Sequence, residues 1–192
     1  MAVVHPALEG EGKGNLALDR TQNQAAPLIA YAHVAKTFDG GRGAERVKAV
    51  DGVSLEGAEG EFLAIVGGSG SGKTTLLRLA NRLIDADSGS ITVEGEDVRA
   101  ADPVALRRRI GYVFQSGGLF PHMSVADNIG ITPKLLGVEP ADMSTRVDEL
   151  LDLVRLDRGQ YRDRLPHELS GGQRQRVSVA RALAARPRIM LR

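Results

Sequence analysis

The order of apolar and polar positions predicts strands and helices that follow one another along most of the chain. Strand-like alternation runs through "LIAYAHVAKTF" and "VKAVDGVSLEG", and "EFLAIVG" is a continuous apolar run, typical of a strand covered on both faces. "KTTLLRLANRLI" has the apolar spacing of a helix, "GSITVEGEDV" returns to strand, and "PVALRRR" and "IGYVFQ" predict a short helix and a buried strand. This order is typical of an α/β domain.

Helical spacing dominates after residue 117. "SVADNIG" and "MSTRVDELLDLVRL" predict helices with Ser124 and Ser144 as N-caps, and "SGGQRQRVSVARALAAR" predicts a long helix that begins in glycines, before "PRIML" returns to strand. We therefore expect a helical subdomain at about residues 117–180, inserted into an α/β domain of residues 28–192. Residues 1–27 show no sustained periodicity and predict a disordered leader.

Composition narrows the classes of partner. The net charge of +1 favours neither nucleic acid nor an anionic membrane, so no nucleic acid partner is expected. The chain has no Cys, which removes disulfides and thiolate metal sites. No apolar run approaches the roughly 20 residues that cross a bilayer, and the first residues are not expected to form a signal peptide, since they lack a basic start and a long apolar stretch. A role at a membrane would therefore depend on partner subunits.

A glycine-rich loop between the predicted strand "EFLAIVG" and the predicted helix "KTTLLRLANRLI" carries the clearest chemistry. It fits the pattern G-x-x-x-x-G-K-[ST], in which small residues let backbone N–H groups surround phosphate oxygens at a helix N-terminus. The Lys reaches the β- and γ-phosphates, and the following hydroxyl can bind Mg²⁺. The candidate residues are Gly67, Gly68, Ser69, Gly70, Ser71, Gly72, Lys73, Thr74 and Thr75.

Two further segments carry weaker signals. Gln115 stands at the end of the strand predicted from "IGYVFQ", where a polar side chain would face the nucleotide across from Lys73. "LSGGQ" opens a helix with Ser170, Gly171, Gly172 and Gln173, which supplies free N–H groups and a hydroxyl for an anion. Taken alone, the second segment is better explained as an ordinary Ser-capped helix.

Together, in this order and spacing, the three segments resemble the ATPases of ATP-binding-cassette (ABC) transporters over nearly all of residues 28–191. The resemblance implies a P-loop NTPase cassette core with an inserted helical subdomain. It implies that residues 67–75 are the Walker A loop, that Gln115 is the Q-loop glutamine, and that residues 169–173 are the signature motif. ATP and Mg²⁺ are the implied cofactors, with Thr74 and Gln115 at the metal. Phe38 matches the aromatic position that stacks on adenine; the alternative is a half-buried strand residue, and Tyr31 is expected in the core.

The resemblance also implies partners. Two cassettes pair head to tail, so that each ATP lies between Walker A of one subunit and the signature motif of the other. The helical subdomain and the Q-loop dock on membrane permease subunits, which would place the chain in the cytoplasm, on the inner face of the membrane, with a solute-binding protein as an indirect partner. "LRRRIGYVFQSGGLFPHMSVADNI" and "TPKLLG" look most like importers of osmoprotectants such as glycine betaine or choline. An importer of amino acids or another small solute is the alternative.

"PRIML" resembles the apolar strand that in this family leads to the Walker B Asp-Glu pair, and these 192 residues include neither that pair nor the later switch His. We therefore expect a C-terminally incomplete cassette that binds nucleotide and does not hydrolyse ATP by itself. A non-hydrolysing nucleotide-binding protein is the second hypothesis. His122 and His167 lack metal-ligand spacing and are interpreted as surface or hydrogen-bonding residues.

Overall fold

The computed structural model describes residues 2–4 (backbone only), 26–40, 46–115 and 117–192. The chain forms two compact units, residues 1–102 and residues 103–192, which are called unit 1 and unit 2. No helix in the described part of the chain is long and apolar enough to cross a membrane. The domain boundaries predicted from the sequence stay predictions, and residues 1 and 5–25 of the predicted leader lie outside the described residues.

Unit 1 is built mainly of strands. Its elements are β1 (Ala2–Val4), β2 (Ile29–Phe38), β3 (Val47–Gly57), β4 (Leu63–Ile65), α1 (Lys73–Ala80), β5 (Ser88–Val93) and β6 (Glu96–Asp97). Four strands form an antiparallel sheet in the order β3-β2-β5-β6, and Ile29 pairs with Gly57 on one side and with Val93 on the other. The alternation in the sequence therefore predicted the central strands of unit 1 correctly.

Side chains of β2 attach the sheet to the rest of unit 1. The buried Tyr31 hydroxyl donates to the Leu76 carbonyl of α1 at 3.1 Å. Asp87, just before β5, accepts from the Lys36 ammonium at 2.7 Å and from the Thr37 N–H at 2.7 Å. Tyr31 thus lies in the core, as the sequence predicted, and its hydrogen bond fixes α1 to the four-stranded sheet.

The strand β4 differs from its prediction. It pairs in parallel with β1, so Ala2–Val4 are in a strand within the segment predicted to be disordered. Leu63 and Ala64 are half-buried, while Phe62, Ile65 and Val66 are exposed, so the prediction of a strand covered on both faces is wrong within unit 1. The reason is that β4 has β1 as its sole strand neighbour among the described residues, and such a pair offers little surface for burial.

Unit 2 contains α2 (Pro103–Arg109), β7 (Ile110–Tyr112), α3 (Val125–Leu135), α4 (Pro140–Leu153), α5 (Arg158–Tyr161), α6 (Gly171–Leu183) and β8 (Ile189–Leu191), with a 3₁₀ turn at Pro166–Glu168. The strands β7 and β8 pair in parallel, with Gly111 opposite Met190. A Cβ on Gly111 would lie 2.7 Å from the Ala182 carbonyl oxygen. Glycine therefore lets β7 approach the end of α6 closely.

The helices of unit 2 share one apolar core. It is formed by buried residues of α3, α4 and α6, with Leu156, Leu169 and Ala184 from the adjoining segments. Ser124 caps α3, since its hydroxyl accepts from the Asp127 N–H at 3.1 Å, as predicted. The prediction for Ser144 is wrong. The N-cap of α4 is Glu139, five residues earlier, and Ser144 lies inside the helix, where its hydroxyl accepts from the Arg162 guanidinium at 2.9 Å. Proline at the first helical position explains the earlier start.

Candidate functional site

The glycine-rich segment of residues 67–72, which we call the phosphate loop, lies between β4 and α1 in unit 1, and its residues 67–71 are exposed. Gly70 and Gly72 have φ of 82° and 83°. Gly72 is the N-cap of α1, and a Cβ there would overlap the Ala49 carbonyl oxygen of β3. Only glycine combines this left-handed backbone with such close contact. The conformation of the phosphate loop therefore depends on its glycine backbone, and within the loop the Ser71 N–H donates to the Gly68 carbonyl at 3.3 Å.

The ammonium of Lys73 lies within the phosphate loop. It donates to the Gly67 carbonyl at 2.8 Å, to the Gly68 carbonyl at 2.6 Å and to the Ser71 hydroxyl at 3.2 Å. A positive charge is thus held among backbone groups at the start of α1, whose first turn contains no acidic residue. Helix N-termini and oriented N–H groups favour anions, so this arrangement can bind phosphate oxygens.

Thr74 and Thr75 follow Lys73 in the first turn of α1. The Thr74 side chain is exposed beside the phosphate loop, and Thr75 is half-buried. In the described part of the chain no group of three or more His, Asp or Glu residues is placed to hold a metal ion. This donor set fits Mg²⁺ held by one hydroxyl, because Mg²⁺ at nucleotides takes its other ligands from phosphates and water. Thr74 is the residue that would hold it.

Phe38 ends β2 with 40% of its surface exposed and with the Lys36 ammonium 5.6 Å from its ring centroid. An exposed ring face can stack on a base, whereas Tyr31 on the same strand is 4% exposed and cannot. Burial raises the pKa of the Tyr31 hydroxyl, in agreement with its place in the core. Phe38 therefore keeps the property that adenine stacking requires.

Gln115 does not end a strand, and the prediction that it does is wrong. The strand β7 ends at Tyr112, and the Val113 N–H still donates to the Leu191 carbonyl at 2.8 Å before pairing stops. The chain then turns, with the Gly117 N–H donating to Phe114 at 3.0 Å, and Gln115 is exposed in this turn. Pairing stops here because β8, the partner strand, ends at Leu191, and the positive φ of Gly117 and Gly118 then turns the chain. We call residues 114–120 the glutamine loop.

The segment of residues 169–173 opens α6 in unit 2. The Ser170 hydroxyl accepts from the Gln173 N–H at 3.3 Å, and the Gln173 side-chain oxygen accepts from the Ser170 N–H at 2.7 Å, which is a capping box. Gly171 and Gly172 are exposed, and a Cβ on either would meet nothing within 4 Å. The structure thus confirms a Ser-capped helix and leaves its first turn accessible to an anion.

Two residues around these segments had no signal in the sequence. Tyr161 accepts a hydrogen bond from the Gln173 amide at 2.9 Å, and Arg181 donates to the glutamine loop. Tyr161 lies twelve positions before Gln173 and Arg181 lies sixty-three positions after Gly118, so no local motif connects them. Such contacts depend on how α5, α6 and the loop pack together.

An α/β core with a glycine-rich loop between strand and helix, and with helices inserted before a second glycine-rich helix start, defines the cassette of ATP-driven transporters. The family model described as ABC transporter matches residues 50–192. The chain therefore belongs to the ABC transporter family.

Relatives and solved structures agree with this assignment. The chain is 49% identical over 165 residues to the choline transport ATP-binding protein OpuBA of Bacillus subtilis (strain 168), which covers 85% of this chain and 42% of the relative. It is 49% identical over 164 residues to the glycine betaine uptake system ATP-binding protein YehX of Escherichia coli (strain K12), which covers 85% of this chain and 51% of the relative. The chain thus spans about two fifths to one half of the length of these relatives.

Among solved structures, the ATP-binding cassette MJ0796, in a dimeric post-hydrolysis state bound to ADP and Pi, superposes with a TM-score of 0.76 at 33% identity. The match covers 84% of this chain and 72% of that chain. It confirms the cassette fold that the sequence predicted.

Proposed function

We propose that this chain is the ATP-binding part of an ABC importer subunit, which couples ATP binding and hydrolysis to solute uptake. One observation carries the proposal: the Lys73 ammonium is held inside the phosphate loop by the carbonyls of Gly67 and Gly68. The two carbonyls compensate the ammonium charge, and phosphate oxygens would replace them as stronger, charged acceptors. The loop N–H groups and the start of α1 would bind the remaining oxygens.

The other candidate residues have distinct proposed roles. The Thr74 hydroxyl binds Mg²⁺, the exposed ring of Phe38 stacks on adenine, and Gln115 reaches the metal or the attacking water from the glutamine loop. Mg²⁺, when bound, neutralises charge on the β- and γ-phosphates. The proposal assigns ATP hydrolysis to the whole protein and not to these 192 residues by themselves. The relatives are about twice as long as the segment that matches this chain.

We propose a second copy of the cassette as the first partner. The exposed first turn of α6, with Ser170, Gly171 and Gly172, would bind the ATP held by the phosphate loop of that copy. The solved cassette with the same fold is dimeric, which supports the pairing. In this arrangement each chain contributes to two nucleotides, one through residues 67–75 and the other through residues 170–173.

Membrane permease subunits are the second proposed partner. Unit 2 has a mainly apolar groove of about 540 Å³ whose lining includes Phe114, Phe120, Ile131 and Leu135. This groove lies beside the glutamine loop, and it suits an apolar helix of a permease segment. Docking there would hold the chain at the cytoplasmic face of the membrane and connect it indirectly to a solute-binding protein.

Quaternary-ammonium osmoprotectants are the proposed solutes. Several relatives are named for choline, glycine betaine or carnitine transport and are 45–49% identical to this chain. A relative named for spermidine/putrescine import is 44% identical, so a cassette for another small solute is the alternative. The cassette does not contact the solute in this proposal, and the solute is therefore decided by which permease the chain docks on.

A chimera tests this docking choice. Residues 28–192 replace the matching segment of the Escherichia coli glycine betaine cassette in a strain that lacks the native one, and a parallel chimera is built in a spermidine/putrescine cassette. We expect labelled glycine betaine uptake to be restored in the first strain and polyamine uptake to stay at background in the second. Restoration of polyamine uptake alone would contradict the osmoprotectant assignment.

The adenine contact is tested separately. Phe38→Ala should weaken ATP binding about 5- to 150-fold, the range of one stacked base at roughly 1–3 kcal/mol, and leave binding of inorganic triphosphate unchanged. Phe62→Ala is the control, because Phe62 is 78% exposed and has no assigned role. Isothermal titration with both ligands measures the difference. Equal losses for ATP and triphosphate would rule out adenine stacking on Phe38.

A further inference from the structure

Arg181 is a buried cation near the C-terminal end of α6, with 8% of its surface exposed. Its guanidinium donates to the Gly118 carbonyl at 2.8 Å and to the Gly117 carbonyl at 3.3 Å. The same group lies 6.0 Å from the ring centroid of Phe114 and 5.8 Å from that of Phe120. Within the described residues, the four partners of this cation all belong to the glutamine loop and none is a carboxylate.

The loop is shaped to receive this cation. Gly117 and Gly118 have φ of 79° and 54°, so the chain turns twice in succession where the two carbonyls meet the guanidinium. A Cβ on Gly118 would lie 2.9 Å from the Phe114 ring. Burial lowers the pKa of Arg181, yet a guanidinium stays protonated in proteins. A permanent charge is therefore held by two carbonyls and two aromatic rings, and the backbone conformation of the glutamine loop brings these groups together.

Arg181 lies on the helix that begins at Ser170. From Ser170 to Arg181 an α-helix rises about 16 Å, and the capping box at one end and the guanidinium contacts at the other fix both ends of α6. The glutamine loop contains Gln115 two positions before Gly117. Movement of α6 along or about its axis would therefore move the backbone next to Gln115.

We propose that Arg181 is a positioning residue that ties α6 to the glutamine loop, so that residues 170–173 and Gln115 move as one body. This rests on the proposed function, in which residues 170–173 contact the ATP of the partner cassette and Gln115 contacts the ATP of its own chain. Arg181 then couples the two ATP sites of a pair: engagement of one nucleotide by α6 favours the Gln115 position required at the other. Such coupling is reciprocal, because it is a free energy shared by two sites.

The experiment uses the full chain and three variants. Arg181→Met keeps the length of the side chain and removes the charge and the donors. Arg181→Lys keeps the charge and loses the planar fork that spans two carbonyls and two rings. Arg176→Met is the matched control, because Arg176 is on the same helix and donates to the carbonyls of Val154 and Arg155, away from the glutamine loop.

The first measurement is amide hydrogen exchange without nucleotide. Arg181→Met should exchange at least about five-fold faster in residues 114–120, Arg181→Lys should fall between it and the parent chain, and Arg176→Met should match the parent chain there. Unchanged exchange in the loop of Arg181→Met would overturn the tie. If Arg181→Met does not fold, Arg181→Lys decides, because parent-like exchange in its glutamine loop would overturn the tie equally.

The second measurement is the ATP concentration that gives half-maximal pairing of chains in sedimentation. Arg181→Met should raise it about 5- to 150-fold, the usual range of coupling between sites, while ATP affinity of the single chain stays unchanged. A midpoint equal to that of Arg176→Met would overturn the coupling role. If the parent chain does not bind ATP or does not pair, the proposed function fails, and the exchange result still decides whether Arg181 ties the two elements.

Discussion

The phosphate loop depends on a backbone position that only glycine can fill. Gly72 has a left-handed backbone, and a Cβ there would overlap the Ala49 carbonyl oxygen, while a Cβ on Gly68 would meet nothing within 4 Å. Gly72→Ala should lower the free energy of unfolding by about 1–3 kcal/mol through strain at positive φ. Gly68→Ala should leave it nearly unchanged. Urea unfolding of both variants measures the difference, and equal losses would contradict the assigned geometry.

Two serines of unit 2 should contribute differently to the stability of the fold, because only one of their hydroxyls has a hydrogen-bond partner. The Ser178 hydroxyl is buried with no hydrogen-bond partner in the described structure, whereas the Ser144 hydroxyl accepts from Arg162. Ser178→Ala should leave stability unchanged or raise it by up to about 1 kcal/mol, since an unpaired buried group is removed. Ser144→Ala should lower stability by about 0.5–1.5 kcal/mol. A clear loss in thermal unfolding of Ser178→Ala would mean that its hydroxyl has a partner.

The sequence predicted those residues whose contacts are made with neighbours in the sequence. Lys73 and the glycines around it follow from one short pattern, because the backbone at those positions decides the conformation. Tyr161 and Arg181 could not be predicted, since their partners come from segments far along the chain. Tyr31 is buried, as predicted, and Phe38 on the same strand is 40% exposed, while its role in adenine stacking stays a prediction.

Helix starts offer a test at the scale of elements. Ser124 and Ser170 are both N-caps in capping boxes, of α3 and of α6. Alanine at either position should lower stability by about 0.5–2 kcal/mol, the usual loss for a cap. Only Ser170→Ala should also raise the ATP concentration needed for pairing of chains, because its helix start is the proposed contact to the partner nucleotide. Equal effects of the two variants on pairing would contradict that role.

The stability that the hydrogen bonds of Asp87 contribute between β2 and β5 should depend on pH. Hydrogen bonds from Lys36 and from the Thr37 N–H hold the pKa of Asp87 below its usual range. A carboxyl whose pKa is lower in the folded state stabilises the fold above its unfolded pKa, and this contribution is lost as pH falls through the folded pKa. Asp87→Asn should therefore be less stable than the parent chain near neutral pH, with the difference shrinking in acid. A difference that is constant with pH in urea titrations would contradict this.

Element types were predictable and element ends were not. The alternation in "LIAYAHVAKTF" and the helical spacing after residue 117 gave the right kind of element. The start of α4 was misplaced because Ser144 was preferred over Pro140 as the start signal. The strand before Gln115 was predicted too long, because apolar residues continue past Tyr112 although Gly117 and Gly118 turn the chain.

For the whole molecule, the sequence predicted the class of protein better than its organisation. Three short segments were enough to indicate the ABC family, which the family match then confirmed. The division into two units at residue 102 had no signal in composition or patterning. The expectation that these 192 residues do not hydrolyse ATP stays a prediction. The identity of the solute cannot be inferred from the residues of this chain, since in the proposed function a cassette recognises a permease surface and not the transported molecule.

We propose that this chain binds ATP through the Lys73 ammonium in the phosphate loop. The most direct measurement is a titration of labelled Mg-ATP into the parent chain, Lys73→Ala and Lys134→Ala, with folding of each checked by thermal unfolding; Lys134 is an exposed lysine in the last turn of α3. Loss of a charge-assisted contact of about 1.5–3 kcal/mol should weaken binding by Lys73→Ala roughly 10- to 150-fold, with Lys134→Ala unchanged. Equal affinity of the parent chain and folded Lys73→Ala would contradict the account.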